Sequence, residues 1–175
     1  VVVGHGVYSY CVALFGNSFH DFLGFFIVAC VEEEGCLNIV AFKDIKDFSI
    51  EDLKNDLGIE EGDIDIVVGG PPCQAYSTVG KRMLDDPRGK LFQEYFRILS
   101  EVRPQIFVYE NVKGLLSMQG GNLIKQIQEL FESLGYTVQK KLLNAADYGA
   151  AQVRERIILV GTLNGYKFKY PKPTH

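Results

Sequence analysis

From residue 64 onward the apolar positions change period in a regular way. Ile64 to Val68 is a short apolar run that ends in Gly69-Gly70-Pro71-Pro72, the pattern of a buried strand entering a sharp loop. The loop continues to about Gly89. Leu91, Phe92, Tyr95, Phe96, Ile98, Leu99 and Val102 then recur at helical spacing, so a helix over 91–102 has one apolar face, and Pro104 stops it. Gln105 to Tyr109 predicts the next strand. Leu123, Ile124, Ile127, Leu130, Phe131 and Leu134 predict a second amphipathic helix from about Asn122 to Leu134, with Gly135 at its C-terminal stop. Tyr136 to Leu143 and Arg156 to Thr162 read as strands. The first 60 residues are less regular: Phe25 to Val31 predicts a strand ending at Glu32, and Ser49 to Asp56 a short helix with Ser49 as N-cap.

Strand, loop, helix, strand, helix, strand is the alternation of an α/β, doubly wound, Rossmann-like sheet with helices on both faces, where ligands collect at the carboxyl ends of strands. Composition narrows the setting. The 175 residues, 47% hydrophobic, exclude a disordered chain and predict one domain over 1–175. No apolar run approaches the ~18 residues of a membrane span, and the start at Val1 has no signal-peptide pattern, so the expected location is cytoplasmic with no membrane partner. The net charge of −4 argues mildly against a polyanionic partner. Its distribution softens that argument: the 81–90 loop carries Lys81, Arg82, Arg88 and Lys90 against Asp85 and Asp86, and the tail adds Arg154, Arg156, Lys167, Lys169 and Lys172. Solvated surface charge without function remains the plainer reading of those counts.

The 4 cysteines show neither a zinc spacing nor the density of a disulfide scaffold. Cys11, Cys30 and Cys36 lie in apolar surroundings, as small buried thiols do. Cys73 differs. It follows a strand end, on a loop stiffened by Pro71 and Pro72 and given close backbone approach by Gly69 and Gly70, which is how a nucleophile is held in place. A thiolate attacks electron-poor carbon well, and nearby cations lower the thiol pKa from its ordinary ~8.5.

Pro71-Pro72-Cys73-Gln74 with Ser77, then Asp86-Pro87-Arg88-Gly89-Lys90-Leu91-Phe92, then Glu110-Asn111-Val112, then Gln152-Val153-Arg154-Glu155-Arg156 resembles the ordered motif set of the C5-cytosine-specific DNA methyltransferases. Leu143-Asn144-Ala145-Ala146-Asp147-Tyr148-Gly149 is similar to the bacterial members. The resemblance covers roughly Asp63 to Gly161. It implies a DNA cytosine-5 methyltransferase of the restriction-modification type, with the Rossmann-like sheet of S-adenosylmethionine-dependent enzymes. In the mechanism it implies, Cys73 adds to C6 of cytosine, Glu110 holds or supplies the proton at N3, and Arg156 bonds O2, with Arg154 alongside. The methyl donor is S-adenosylmethionine, leaving S-adenosylhomocysteine, and no metal is required. The substrate is double-stranded DNA with the cytosine flipped out of the stack. Gln74, Ser77, Lys81, Arg82, Arg88, Asn111 and Gln152 are then candidate substrate contacts, the basic loop closing over the DNA.

For the cofactor, Glu32 matches the family carboxylate that bonds the ribose hydroxyls, Asp44-Ile45 resembles the adenine-binding pair, and Pro72 and Leu91 match positions lining the pocket. Two departures stand out. The family's opening Phe-x-Gly-x-Gly turn is missing from its place before Glu32: Val2-Val3-Gly4-His5-Gly6 lacks the aromatic, and Leu14-Phe15-Gly16-Asn17-Ser18 has the wrong glycine spacing. The family's target-recognition region and last motifs do not precede His175, so the expectation is a catalytic segment, with a second chain as one source of the rest. A transfer-RNA cytosine methyltransferase of the same fold and an inactive binding module are the alternatives.

Overall fold

The computed structural model describes residues 8–15, 25–32, 37–44, 49, 51, 55, 63–71 and 90–175. Among the described residues seven strands form one sheet: β1 (Tyr8–Phe15), β2 (Phe25–Glu32), β3 (Leu37–Asp44), β4 (Ile64–Gly69), β5 (Ile106–Val112), β6 (Thr137–Asn144) and β7 (Glu155–Thr162), in the order β3-β2-β1-β4-β5-β7-β6. Two helices, α1 (Lys90–Val102) and α2 (Asn122–Ser133), alternate with β4, β5 and β6. The predicted α/β, Rossmann-like alternation is therefore present, and the helix and strand bounds from residue 64 onward agree with the periodicity to within a residue, except that β5 runs three residues past the predicted end at Tyr109, to Val112. Glu51 and Asn55 have helical backbone, and Ser49 before them does not, as expected for a cap.

Connection length explains strand direction. β1, β4 and β5 run parallel, and the long β4-to-β5 link holds a crossover helix. Only residues 33–36 join β2 to β3 and residues 16–24 join β1 to β2, too few for a crossover, and both pairs are antiparallel. β7 is antiparallel to both β5 and β6. The sequence pattern did not single out β1 or β3 as strands; the structure adds them.

Strand alternation sorts β5 into two faces. Phe107, Tyr109 and Asn111 are buried on the helical side, while Ile106, Val108 and Glu110 face the other way. α1 and α2 lie side by side on that first face. Their seam is aromatic: the Phe131 ring stands 4.6 Å from Phe107, 5.5 Å from Tyr109, 5.8 Å from Phe92, 6.1 Å from Tyr95 and 6.4 Å from Phe96, centroid to centroid. Each such ring removed from water contributes about 1.5–3 kcal/mol, so this cluster anchors the helices to the sheet. The Tyr95 hydroxyl donates to the Val108 carbonyl at 3.0 Å, and burial pushes its pKa well up. At the far end Gly135 takes a left-handed conformation (φ 90°) that ends α2, and the Arg103 guanidinium donates to the Leu134 carbonyl at 2.6 Å, tying the two helix ends together.

Candidate active site

The register of the sheet decides which residues can meet. Leu14 pairs with Gly69, Gly69 with Tyr109, Val112 with Arg156, and Asn144 with Glu155. The carboxyl ends of β4, β5 and β6 and the start of β7 therefore share one edge, and the motifs around Gly70, Glu110 and Arg156 arrive there together.

Glu110 and Arg156 sit two positions apart across the β5–β7 ladder and hence on the same face. The Arg156 Nε lies 2.7 Å from the Glu110 Oε1, and both side chains are partly exposed. Arg156 also donates to the Glu155 carbonyl at 2.9 Å, which fixes the fork of the guanidinium, while the Glu155 carboxylate takes Lys113 Nζ at 2.8 Å. This carboxylate–guanidinium pair presents an acidic group and a row of N–H donors side by side, as recognition of an amidine or amide edge requires.

Gly70 is needed here for space. A Cβ on it would stand 2.8 Å from Glu110 Oε2, so the main chain at Gly70, just past the end of β4, runs directly against the carboxylate. Asn111 ties the same loop from below. Its amide nitrogen donates to the Pro71 carbonyl and lies 3.0 Å from both that oxygen and the Tyr109 hydroxyl, and its own oxygen accepts the Val112 N–H at 2.9 Å. Asn111 is 3% exposed, one of two buried polar residues among the described ones. Its side chain is spent on internal bonds that join β5 to the strand-end loop.

Beyond β6 the chain forms a tight turn over Ala145–Tyr148, with Gly149 in left-handed conformation, then an exposed run from Ala150 to Arg154 that leads into β7. Gln152 and Arg154 are both exposed on this run, which leads along the chain to Arg156. Leu91 is half-buried at the start of α1, against the aromatic core. Asp44 ends β3 at the same sheet edge as Phe25, which pairs with Phe15.

Glu32 is not brought together with these residues. It pairs with Tyr8 at the start of β1, on the opposite edge of the sheet, because the antiparallel β1–β2 pairing carries the end of β2 back to where β1 begins. Pro72, Cys73, Gln74, Ser77, Lys81, Arg82, Arg88 and Ile45 lie outside the described residues. A groove of about 880 Å³ lined by Gln105, Ile106 and residues 162–169 opens at the edge where β5 begins, away from Glu110. Among the described residues no three His, Cys, Asp or Glu side chains cluster as metal ligands, and no helix is long and apolar enough to cross a membrane.

The sequence profile of the family described as C-5 cytosine-specific DNA methylase matches residues 36–175. This chain belongs to that family. The chain is 47% identical over 135 residues to the type II methyltransferase M.FnuDI of Fusobacterium nucleatum, covering 75% of this chain and 37% of that protein. It is 44% identical over 135 residues to the type II methyltransferase M.XorII of Xanthomonas oryzae, covering 75% of this chain and 32% of that protein. Among solved structures, a prophage-encoded E. coli protein described as a DNA modification methyltransferase superposes with a TM-score of 0.56 at 27% identity, over 74% of this chain and 35% of that one. The chain spans about a third of the length of the curated relatives it matches.

Proposed function

We propose that this methylase chain carries the catalytic machinery of a DNA cytosine-5 methyltransferase, transferring a methyl group from S-adenosylmethionine to C5 of a flipped cytosine through a covalent Cys73 adduct. The observation that carries the proposal is the Glu110–Arg156 pair, 2.7 Å apart at the sheet edge where the strand bearing Gly70-Pro71 also ends. The type II methyltransferases to which the chain is 42–47% identical support DNA as the substrate.

The cytosine ring presents N3, O2 and the 4-amino group on one edge. Glu110, protonated or sharing a proton with N3, and Arg156, donating to O2, match that edge in donor and acceptor order. The Cys73 thiolate forms the bond to C6, and the C5–C6 electron pair moves to C5, with charge delocalised toward the N3 and O2 atoms those two residues hold. C5 gains the methyl, a base takes the C5 proton, and the electrons of that C–H bond reform C5=C6 as the Cys73 thiolate leaves. S-adenosylmethionine supplies the electrophilic methyl when bound. The residues at this edge fit such a group in chemical kind: Gly69 and Gly70 allow close main-chain approach, Leu91 offers an apolar wall, and Asp44 ends β3 at the same edge. Glu32, on the opposite edge, does not join that set.

The test is trapping by the protein that contains this chain on DNA bearing 5-fluorocytosine, with S-adenosylmethionine present. Fluorine cannot leave C5 as a proton, so a denaturing gel should show a DNA-linked band that Cys73→Ser abolishes and Glu110→Gln slows by about 10²-fold, within the usual range for a lost general acid. Absence of a Cys73-dependent band would overturn the covalent route.

A further inference from the structure

Asn144 closes the turn before the arginine strand. It is the last residue of β6, and its side-chain oxygen accepts two backbone N–H groups, Ala146 at 3.3 Å and Arg154 at 3.0 Å. The first is where the excursion between β6 and β7 begins and the second is where it ends. Backbone bonds add to the closure: Ala145 N donates to the Arg154 carbonyl at 3.0 Å, Ala150 N to the Ala145 carbonyl and Gly149 N to the Ala146 carbonyl, both at 3.2 Å. Without the amide oxygen, the Arg154 N–H would have lost its acceptor, and the exposed run from Ala150 to Arg154 would pivot on the end of the ladder. Arg156 follows two residues later, carrying the guanidinium that faces Glu110.

We propose that Asn144 is a positioning residue for methyl transfer: its side-chain oxygen, by holding the Ala146 and Arg154 N–H groups together, fixes the loop that presents Gln152 and Arg154 and sets the entry of β7 on which Arg156 stands. This deepens the methyltransferase reading and rests on it. Nothing in the pattern of apolar positions marks the residue, because its work is done on backbone groups. The geometry demands an acceptor only, so aspartate, which keeps an oxygen in the same place, satisfies it and alanine does not.

The experiment compares wild type, Asn144→Ala and Asn144→Asp in the protein that contains this chain. Amide hydrogen exchange reads the loop without reference to activity, and steady-state methylation of DNA reads the chemistry. For Asn144→Ala the Arg154 amide should exchange about tenfold faster, as loss of one hydrogen bond in a closed loop allows. In the same variant kcat should fall about tenfold or more, while KM for S-adenosylmethionine stays within about twofold, because misplacement of substrate-facing groups acts on the chemical step. Asn144→Asp should restore both. Faster exchange with unchanged kcat would overturn the positioning role and leave methyl transfer standing, as would an Asn144→Asp variant as impaired as Asn144→Ala. Unchanged exchange in Asn144→Ala would overturn the clasp itself. A wild-type protein that methylates no DNA would overturn the proposed function, and with it the role assigned to Asn144.

Discussion

Gly161→Ala is a one-carbon change that the aromatic core has no room to accept. Gly161 lies on β7, opposite Phe107 of β5 in the ladder. A Cβ built there would stand 1.9 Å from Phe107 Cε1, 2.4 Å from Cζ and 2.6 Å from Cδ1. Ordinary carbon–carbon contact begins near 3.5 Å, so the ring must retreat by roughly 1.5 Å. It has nowhere to go: Phe131 stands 4.6 Å away and Tyr136 5.0 Å, ring centre to ring centre, and Phe107 is fully buried. Overpacking of this kind costs about 1–3 kcal/mol, and a ring clash against neighbours this close belongs at the upper end. For a domain of this size about 3 kcal/mol lowers Tm by roughly 6–12 °C. Thermal unfolding followed by circular dichroism measures it. The decisive assay is a double-mutant cycle with Phe107→Leu, which makes room where the methyl intrudes: the double variant should be more stable than the sum of the two single losses implies, by at least about 1 kcal/mol. A Gly161→Ala protein melting within about 1 °C of wild type, or losses that simply add, would refute the packing argument.

The other predictions concern the site edge and the tail. Gly70→Ala should leave the fold intact, since the intruding Cβ meets the mobile end of Glu110, yet push that carboxylate out of line with Arg156; kcat for methyl transfer should drop about 10–10²-fold with little change in Tm, and full activity would remove Gly70 from the argument. Asn111→Leu should destabilise the protein by about 2–3 kcal/mol, because the Pro71 carbonyl and Val112 N–H lose their buried partner, read by urea unfolding; a loss below about 0.5 kcal/mol would show those bonds idle. Burial raises the Tyr170 hydroxyl from the ordinary 10 to about 12, and the hydroxyl lies 3.0 Å from the Gln139 and Ile158 carbonyls. A phenol whose folded pKa is raised adds stability that is complete below pH ~10 and lost as pH climbs through 12, so Tyr170→Phe should flatten the alkaline fall in Tm between pH 10 and 12, and an unchanged slope would contradict it.

From Ile64 onward the architecture was legible because each element is one-sidedly apolar: the faces of α1 and α2 and the runs of β4, β5 and β7 follow from where water is excluded. β1 and β3 were not, because Tyr8–Phe15 and Leu37–Asp44 are flanked by glycine-containing and acidic segments that blur where each apolar run starts. The turns over Lys113–Gly121 were equally hidden, since Gln119, Gly120 and Gly121 take left-handed backbone that leaves no periodic trace. Glu110 and Arg156 were found by resemblance, but that they meet at 2.7 Å follows only from the β5–β7 register. Glu32 went astray for a related reason: a strand-end carboxylate can be read from sequence, whereas the edge of the sheet it reaches depends on strand direction. Asn111 entered the candidate substrate contacts through the resemblance of Glu110-Asn111-Val112 to a family motif. Its burial and its bond to the Pro71 carbonyl are properties of neighbours 40 residues away in the chain.

The two-position offset between Glu110 and Arg156 also bears on how such a chain can change over evolutionary time. Because side chains alternate across a strand, only an even shift of β7 against β5 keeps Arg156 on the face of Glu110. Adding or deleting a single residue within either strand would turn the guanidinium into the aromatic layer around Phe107 and bring an aliphatic side chain such as Ile157 opposite the carboxylate. One indel would thus injure folding and chemistry in the same stroke, so selection has no route by which to trade one for the other. Length variation among descendants of this sequence will accumulate in the connections and spare the two strands, whose parity is inherited as a unit.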